Sequence, residues 1–216
     1  MKLILCDFEV FKYDTLFGCI VIDNNKEQLY QLWDLDLIKN FFECTRDDSI
    51  YINWNGKFYD NIILETIYKG GNPYLVSKKI IKGEKVFSNL NFYHYDVMNT
   101  GFGEQLSLKL TELISGKSID TTEVDFDLDR PLTEEEKLLT EKYNRSDLYQ
   151  TLYNFRVSYD RFELRLNIIK EWNLDLAKCL DMTGAQIAAE VKTARAPIHH
   201  IFIERLCNKE ASAVTA

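Results

Sequence analysis

Apolar and polar positions alternate between two regimes along this chain. Lys2–Leu5 is an apolar run that leads into Asp7-Phe8-Glu9 and reads as a strand ending in acids. Leu16–Ile22 is a second apolar run, and Asn24-Asn25 supplies a turn before a third strand at Gln28–Trp33, so the opening predicts a meander. Leu35–Cys44 has helical spacing, with Leu37, Ile38, Phe41 and Phe42 on one face. Ile50–Trp54 is a fourth strand. A helix from about Tyr59 to Tyr68 buries Ile62, Ile63 and Ile67 and is stopped by Gly70-Gly71. The lysine-rich stretch Leu75–Phe87 reads as a hairpin or loop, and Asn91–Val97 as a fifth strand ending at Asp96.

Leu106–Ile114 is expected to be helical, and Asp125–Pro131 an acidic, extended connection. Thr133 and Glu136 form a capping box that starts a helix. Its periodicity runs to about Trp172, with a break expected near Asp147–Thr151. Thr183–Lys192 reads as one more short helix, and the stretch after Ala194 has no clear period. Strands come first and helices interleave later, which predicts one α/β or α+β domain.

Composition narrows the class. At 216 residues, 46% hydrophobic and 28% charged, the chain is long enough for one substantial core and ordinary for a globular protein. No apolar run approaches the roughly 20 residues of a membrane span, and the N-terminus lacks the regions of a signal peptide. The five cysteines show no metal spacing and are expected as reduced thiols in a cytoplasmic setting. The net charge of −8 argues against binding nucleic acid by bulk charge alone. It leaves room for acids that hold divalent cations.

The candidate chemistry is acidic. Asp7 and Glu9, two residues apart on a strand, point to the same face, where two carboxylates resist joint ionisation unless a cation neutralises them. Alone, the pair reads better as a solvated strand end, by roughly five to one on motif base rates. Asn55-Gly-Lys-Phe-Tyr59-Asp60 follows the fourth strand, and Asp60 also suits a helix N-terminus. Tyr143 and Asp147 share a helix face through their i, i+4 spacing, although Tyr143 alone also fits a core aromatic.

Taken in order, Asp7-x-Glu9, Asn55-x3-Tyr59-Asp60 and Tyr143-x3-Asp147 resemble the three exonuclease motifs of the DEDD superfamily in its tyrosine branch. The likeness is nearest to the proofreading exonuclease domain of phage-type family B DNA polymerases. It extends to Leu106-Ser-Leu-Lys and to the stretch from Phe126 through Pro131 to Glu136, and covers roughly residues 2 to 195. The resemblance implies a ribonuclease-H-like fold, with a mixed five-stranded sheet flanked by helices in a single domain over 1–195. It also implies metal-dependent 3′→5′ hydrolysis of DNA to nucleoside 5′-monophosphates. On that carry-over, Asp7 bridges two divalent cations, Glu9 and Asp147 complete the first site, Asp60 serves the second, and Tyr143 orients the attacking water. Asn55, Tyr59 and Phe8 are the expected substrate-binding residues. The implied partners are single-stranded DNA 3′ ends and a polymerase or replication protein, in a bacterial or phage-infected cytoplasm.

The donor set agrees with Mg²⁺ or Mn²⁺, since oxygen ligands without clustered Cys or His disfavour Zn²⁺. Two alternatives stay open: an exoribonuclease of the same chemistry, and a non-catalytic accessory domain of a replication protein. Asp96 reads as a turn or structural acid rather than a fifth site carboxylate. The Lys78–Lys85 cluster reads equally as a strand-gripping surface or a solvated face. His199-His200 with Cys207 reads as incidental, Gly101-Phe-Gly103 lacks the dinucleotide fingerprint, and residues 196–216 form a tail of unassigned role.

Overall fold

The computed structural model describes residues 1–98, 106–116 and 124–194. Five strands form one sheet: β1 (Lys2–Val10), β2 (Thr15–Asp23), β3 (Lys26–Leu32), β4 (Ser49–Asn53) and β5 (Tyr93–Asp96), in the order β3-β2-β1-β4-β5. The first three pair antiparallel, while β1–β4 and β4–β5 are parallel. This mixed sheet, flanked by helices in a single domain, is the ribonuclease-H-like α/β arrangement.

Strand alternation divides the core between the two faces of the sheet. Ile4, Cys6, Phe8 and Val10 of β1 pack with Tyr51 beneath α1 (Leu35–Thr45) and α2 (Asp60–Tyr68). Leu5 joins Ile20, Ile50 and Ile52 on the opposite face, under α5 (Glu134–Val157), α6 (Tyr159–Glu171) and α7 (Leu176–Cys179). Asp7 and Glu9 follow Leu5 at strand spacing, and the sheet therefore presents them towards α5. The predicted face of α1 is narrower than its sequence suggests. Ile38 and Phe42 are buried, but Leu37 is exposed.

Two expectations are corrected. The lysine-rich stretch is neither a hairpin nor a loop at its start, because α3 spans Pro73–Ile81. Asn72 caps it by accepting the Leu75 N–H at 3.1 Å, and Pro73 occupies the first turn, where a missing N–H costs nothing. The long C-terminal helix does not break near Asp147–Thr151 but at Ser158, whose hydroxyl bonds back to the Asn154 carbonyl.

The capping box is formed: Thr133 Oγ1 accepts the Glu136 N–H at 3.2 Å, and Glu136 accepts the Thr133 N–H at 2.8 Å. Among the described residues, no helix is long and apolar enough to cross a membrane. Gly101-Phe-Gly103, the His199-His200 pair with Cys207, and the tail 196–216 lie outside the described residues.

Candidate metal centre

The site is built where β1 outruns its parallel neighbour. β1 pairs with β4 only over Lys2–Leu5, so the second half of β1 is free on that side. The Phe8 N–H there is taken by Asp60 Oδ1 at 3.2 Å. Asp60 reaches it because the chain leaves β4, turns through a 3₁₀ segment at Gly56–Phe58, and starts α2 at Asp60 itself.

That turn is held by Asp96, which is fully buried. Its carboxylate accepts the N–H groups of Asn55 at 3.1 Å, Lys57 at 3.3 Å and Met98 at 3.0 Å. Asp96 therefore has the turn-forming role expected for it. Asn55 opens the turn at φ 61°, a left-handed conformation that asparagine tolerates better than most side chains.

From the other layer, α5 brings Asp147 over the same end of β1. One carboxylate oxygen each from Asp7, Glu9 and Asp147 lie within 4.8 Å of one another. Glu9 and Asp147 are buried and Asp7 is partly exposed. Asp60 is not in this cluster, yet its charge reaches both Asp7 and Glu9. Three of the four predicted acids thus converge, with the fourth held on the Phe8 N–H of β1.

Crowding and burial oppose ionisation. Burial, then the charges of Glu9, Asp60 and Asp147, push the Asp7 carboxyl far above its ordinary range, against a hydrogen bond from Asn144. Glu9 is pushed up to about 8 by burial and by Asp147 and Asp60. Asp60 is pushed up to about 7, chiefly by burial, with the Phe8 N–H opposing the shift. A buried set of oxygen donors that resist joint charging fits a hard divalent cation, which would supply the missing positive charge.

Tyr143 lies one turn before Asp147 on α5. Burial first, then Asp147 and Glu9, keep its phenol protonated well above the usual range, and the hydroxyl is hydrogen bonded to Asp147. Tyr59 directs its hydroxyl to Ser77 Oγ of α3 at 2.8 Å, and its half-buried ring packs against the core below α2. Phe8 requires a correction as a substrate-binding side chain. Its ring is 4% exposed and packs on Phe17 at 4.9 Å, so it offers the site its backbone N–H and not its face.

Three further residues shape the site. Asn144 Nδ2 donates to Asp7 Oδ2 at 2.9 Å from the completely buried side of α5. It can do so because Asp7 pairs across β1–β2 with Gly18, where a Cβ would stand 1.7 Å from Asn144 Oδ1. A glycine inside a strand is the sequence signal for such a close approach. Lys109, on α4 (Leu108–Ile114), reaches Asp147 Oδ1 at 2.5 Å and Glu112 at 3.5 Å, with its ammonium 4.5 Å from the centre of the Tyr143 ring. It is an internal cation beside the acids, brought there by a contact 38 residues apart in sequence.

Protein-family models, curated proteins and solved structures contain no match to this chain.

Proposed function

We propose that the protein is a metal-dependent 3′→5′ exonuclease acting on single-stranded DNA ends and releasing nucleoside 5′-monophosphates, of the DEDD type that its motifs resemble. The observation that carries the reading is the convergence of Asp7, Glu9 and Asp147 from two separate elements onto one point. A solvated strand end would need neither the contribution of α5 nor the Gly18–Asn144 arrangement that holds Asp7 in place.

On this reading Asp7, Glu9 and Asp147 would hold one Mg²⁺ or Mn²⁺, and Asp60, whose charge reaches Asp7, would contribute to a second. A pair of such cations supplies an activated water and neutralises charge on the attacking and leaving oxygens. The chain's own groups do the rest. Asn144 fixes the rotamer of Asp7. Tyr143 stays neutral at physiological pH, so its hydroxyl positions a water by hydrogen bonding and does not act as a base. Asn55, in the turn before Asp60, would meet the sugar or base of the terminal nucleotide.

The test is a time course with matched 5′-labelled DNA and RNA single strands in Mg²⁺ or Mn²⁺. The expected result is a ladder shortening from the 3′ end of the DNA that vanishes in Asp7→Ala. Faster shortening of RNA would reassign the substrate to the ribonucleic strand. Identical behaviour of wild type and Asp7→Ala would remove the nuclease reading altogether.

A further inference from the structure

Two lysines on the rim of the site already hold anions. The acidic connection before α5 is anchored at both ends. Val124 and Leu132 are buried with Phe11 in a small cluster of their own, and the Leu132 N–H donates to Asp14 Oδ2 at 2.9 Å. Between these anchors Phe126 stacks on Phe11 at 4.8 Å with the rings nearly parallel. The intervening acids point into solvent. Asp127 pairs with Lys78 and Asp129 with Lys12, and the Tyr13 hydroxyl also donates to Asp129, at 3.1 Å.

Both lysines belong to the site's surroundings. Lys12 follows Glu9 by three residues, at most about 10 Å along an extended chain. Lys78 follows Ser77, which holds the hydroxyl of Tyr59, the neighbour of Asp60. Each ammonium also lies over an aromatic ring, Lys12 at 5.3 Å from the centre of Tyr13 and Lys78 at 5.4 Å from that of Tyr74. Alternating cations and rings are what a single nucleic-acid strand grips, through its phosphates and the faces of its bases. Asp127 and Asp129 are two residues apart, so their Cα atoms are separated by no more than about 7 Å. The two lysines thus bind acids that stand two residues apart on one exposed segment.

We infer that Lys12 and Lys78 form a phosphate-gripping pair for a single strand entering the site, with Asp127 and Asp129 occupying them as carboxylate stand-ins that the strand displaces. The inference rests on the exonuclease reading above and adds to it a strand path and a built-in competitor. Asp127 and Asp129 are 68% and 75% exposed, and exposed ion pairs are individually weak, so phosphates displace them without disturbing the buried anchors. The arrangement also lets a chain of net charge −8 keep two cations at its entrance without attracting polyanions indiscriminately.

The experiment is fluorescence anisotropy with a labelled 12-nucleotide single strand across a KCl series. Ca²⁺ is the cation, and strand integrity is checked on a gel. Asp127→Asn with Asp129→Asn should tighten binding, by up to about fivefold per residue, and steepen the salt dependence, since no freed carboxylate takes up cations. Lys12→Ala with Lys78→Ala should weaken binding and flatten the log–log salt slope, by at most about 1.4 for two phosphates of a single strand. A charge-matched control, Glu163→Gln with Glu171→Gln on the exposed face of α6, should bind like wild type.

If the Asn pair behaves like that control, or the lysine pair like wild type, the inference is overturned. Should wild type still shorten DNA from the 3′ end in Mn²⁺, the exonuclease reading survives that result. If no variant binds the strand and wild type shortens nothing, both fall together.

Discussion

Converting Glu9 to Gln should stabilise the metal-free protein, and the gain should grow with pH. Glu9 is buried between Asp7 and Asp147, and its carboxyl is pushed from an ordinary 4.5 to about 8. For an acid with a raised folded-state pKa, the folded state binds more protons than the unfolded state between those two values, so stability falls as pH rises through that window. At 1.36 kcal/mol per unit, the single-group cost is near zero at pH 4, about 3 kcal/mol at pH 7 and about 5 kcal/mol above pH 9. Glutamine removes that cost while keeping the volume and an oxygen that accepts from Asp7.

For a chain of this size, about 3 kcal/mol corresponds to roughly 6–12 °C in Tm. The assay is thermal unfolding in EDTA from pH 4 to pH 9. Glu9→Gln should match wild type at pH 4 and exceed it progressively above pH 5. Mn²⁺ at 100 times its Kd should then raise the wild-type stability by about 2.7 kcal/mol and shift the variant far less. Parallel pH profiles for the two proteins would refute the reasoning, because they would mean that Glu9 ionises in the folded state as freely as in the unfolded one.

Gly18→Ala should destabilise the fold by about 1–3 kcal/mol in urea, since its Cβ displaces Asn144, and it should weaken Mn²⁺ binding by calorimetry in parallel with Asn144→Ala. Lys109→Ala removes the cation bound to Asp147, so the metal-free protein should lose about 1–2 kcal/mol in urea while the Tm gain on adding Mn²⁺ becomes larger. Tyr143→Phe should keep the wild-type Tm to within a few degrees yet lower the single-turnover cleavage rate by about tenfold, the effect of losing one water-positioning hydrogen bond worth about 1.4 kcal/mol. An unchanged rate would reduce Tyr143 to a packing residue.

The parts legible in the sequence were those whose information is local. β1, β2 and β4 announce themselves as apolar runs, and Tyr143 and Asp147 share a face because one helical turn separates them. α3 was hidden because Lys78 and Lys79 interrupt its apolar positions, although Asn72-Pro73 is a recognisable helix start. The break at Ser158 was misplaced for a related reason. Gln150, Thr151 and Asn154 are buried polar residues, with Gln150 and Asn154 bonded to Thr111 on α4, and they mimic an exposed face when read by hydrophobicity. Asn144 carries no local signal, and Lys109 only its place in the Leu106-Ser-Leu-Lys stretch, since each acquires its role through a contact that only the fold creates. Phe8 shows the converse: a neighbour of two site acids in sequence points into the opposite layer, because adjacent strand residues face opposite ways.

The central claim is that Asp7, Glu9 and Asp147 form a metal centre and not merely a crowded strand end. Anomalous diffraction from crystals equilibrated with millimolar Mn²⁺ tests it most directly. The account predicts a peak among the three carboxylates, within bonding distance of an oxygen of each, with Asn144 still bonded to Asp7. A cluster without anomalous density, with Asp147 still paired with Lys109, would contradict it.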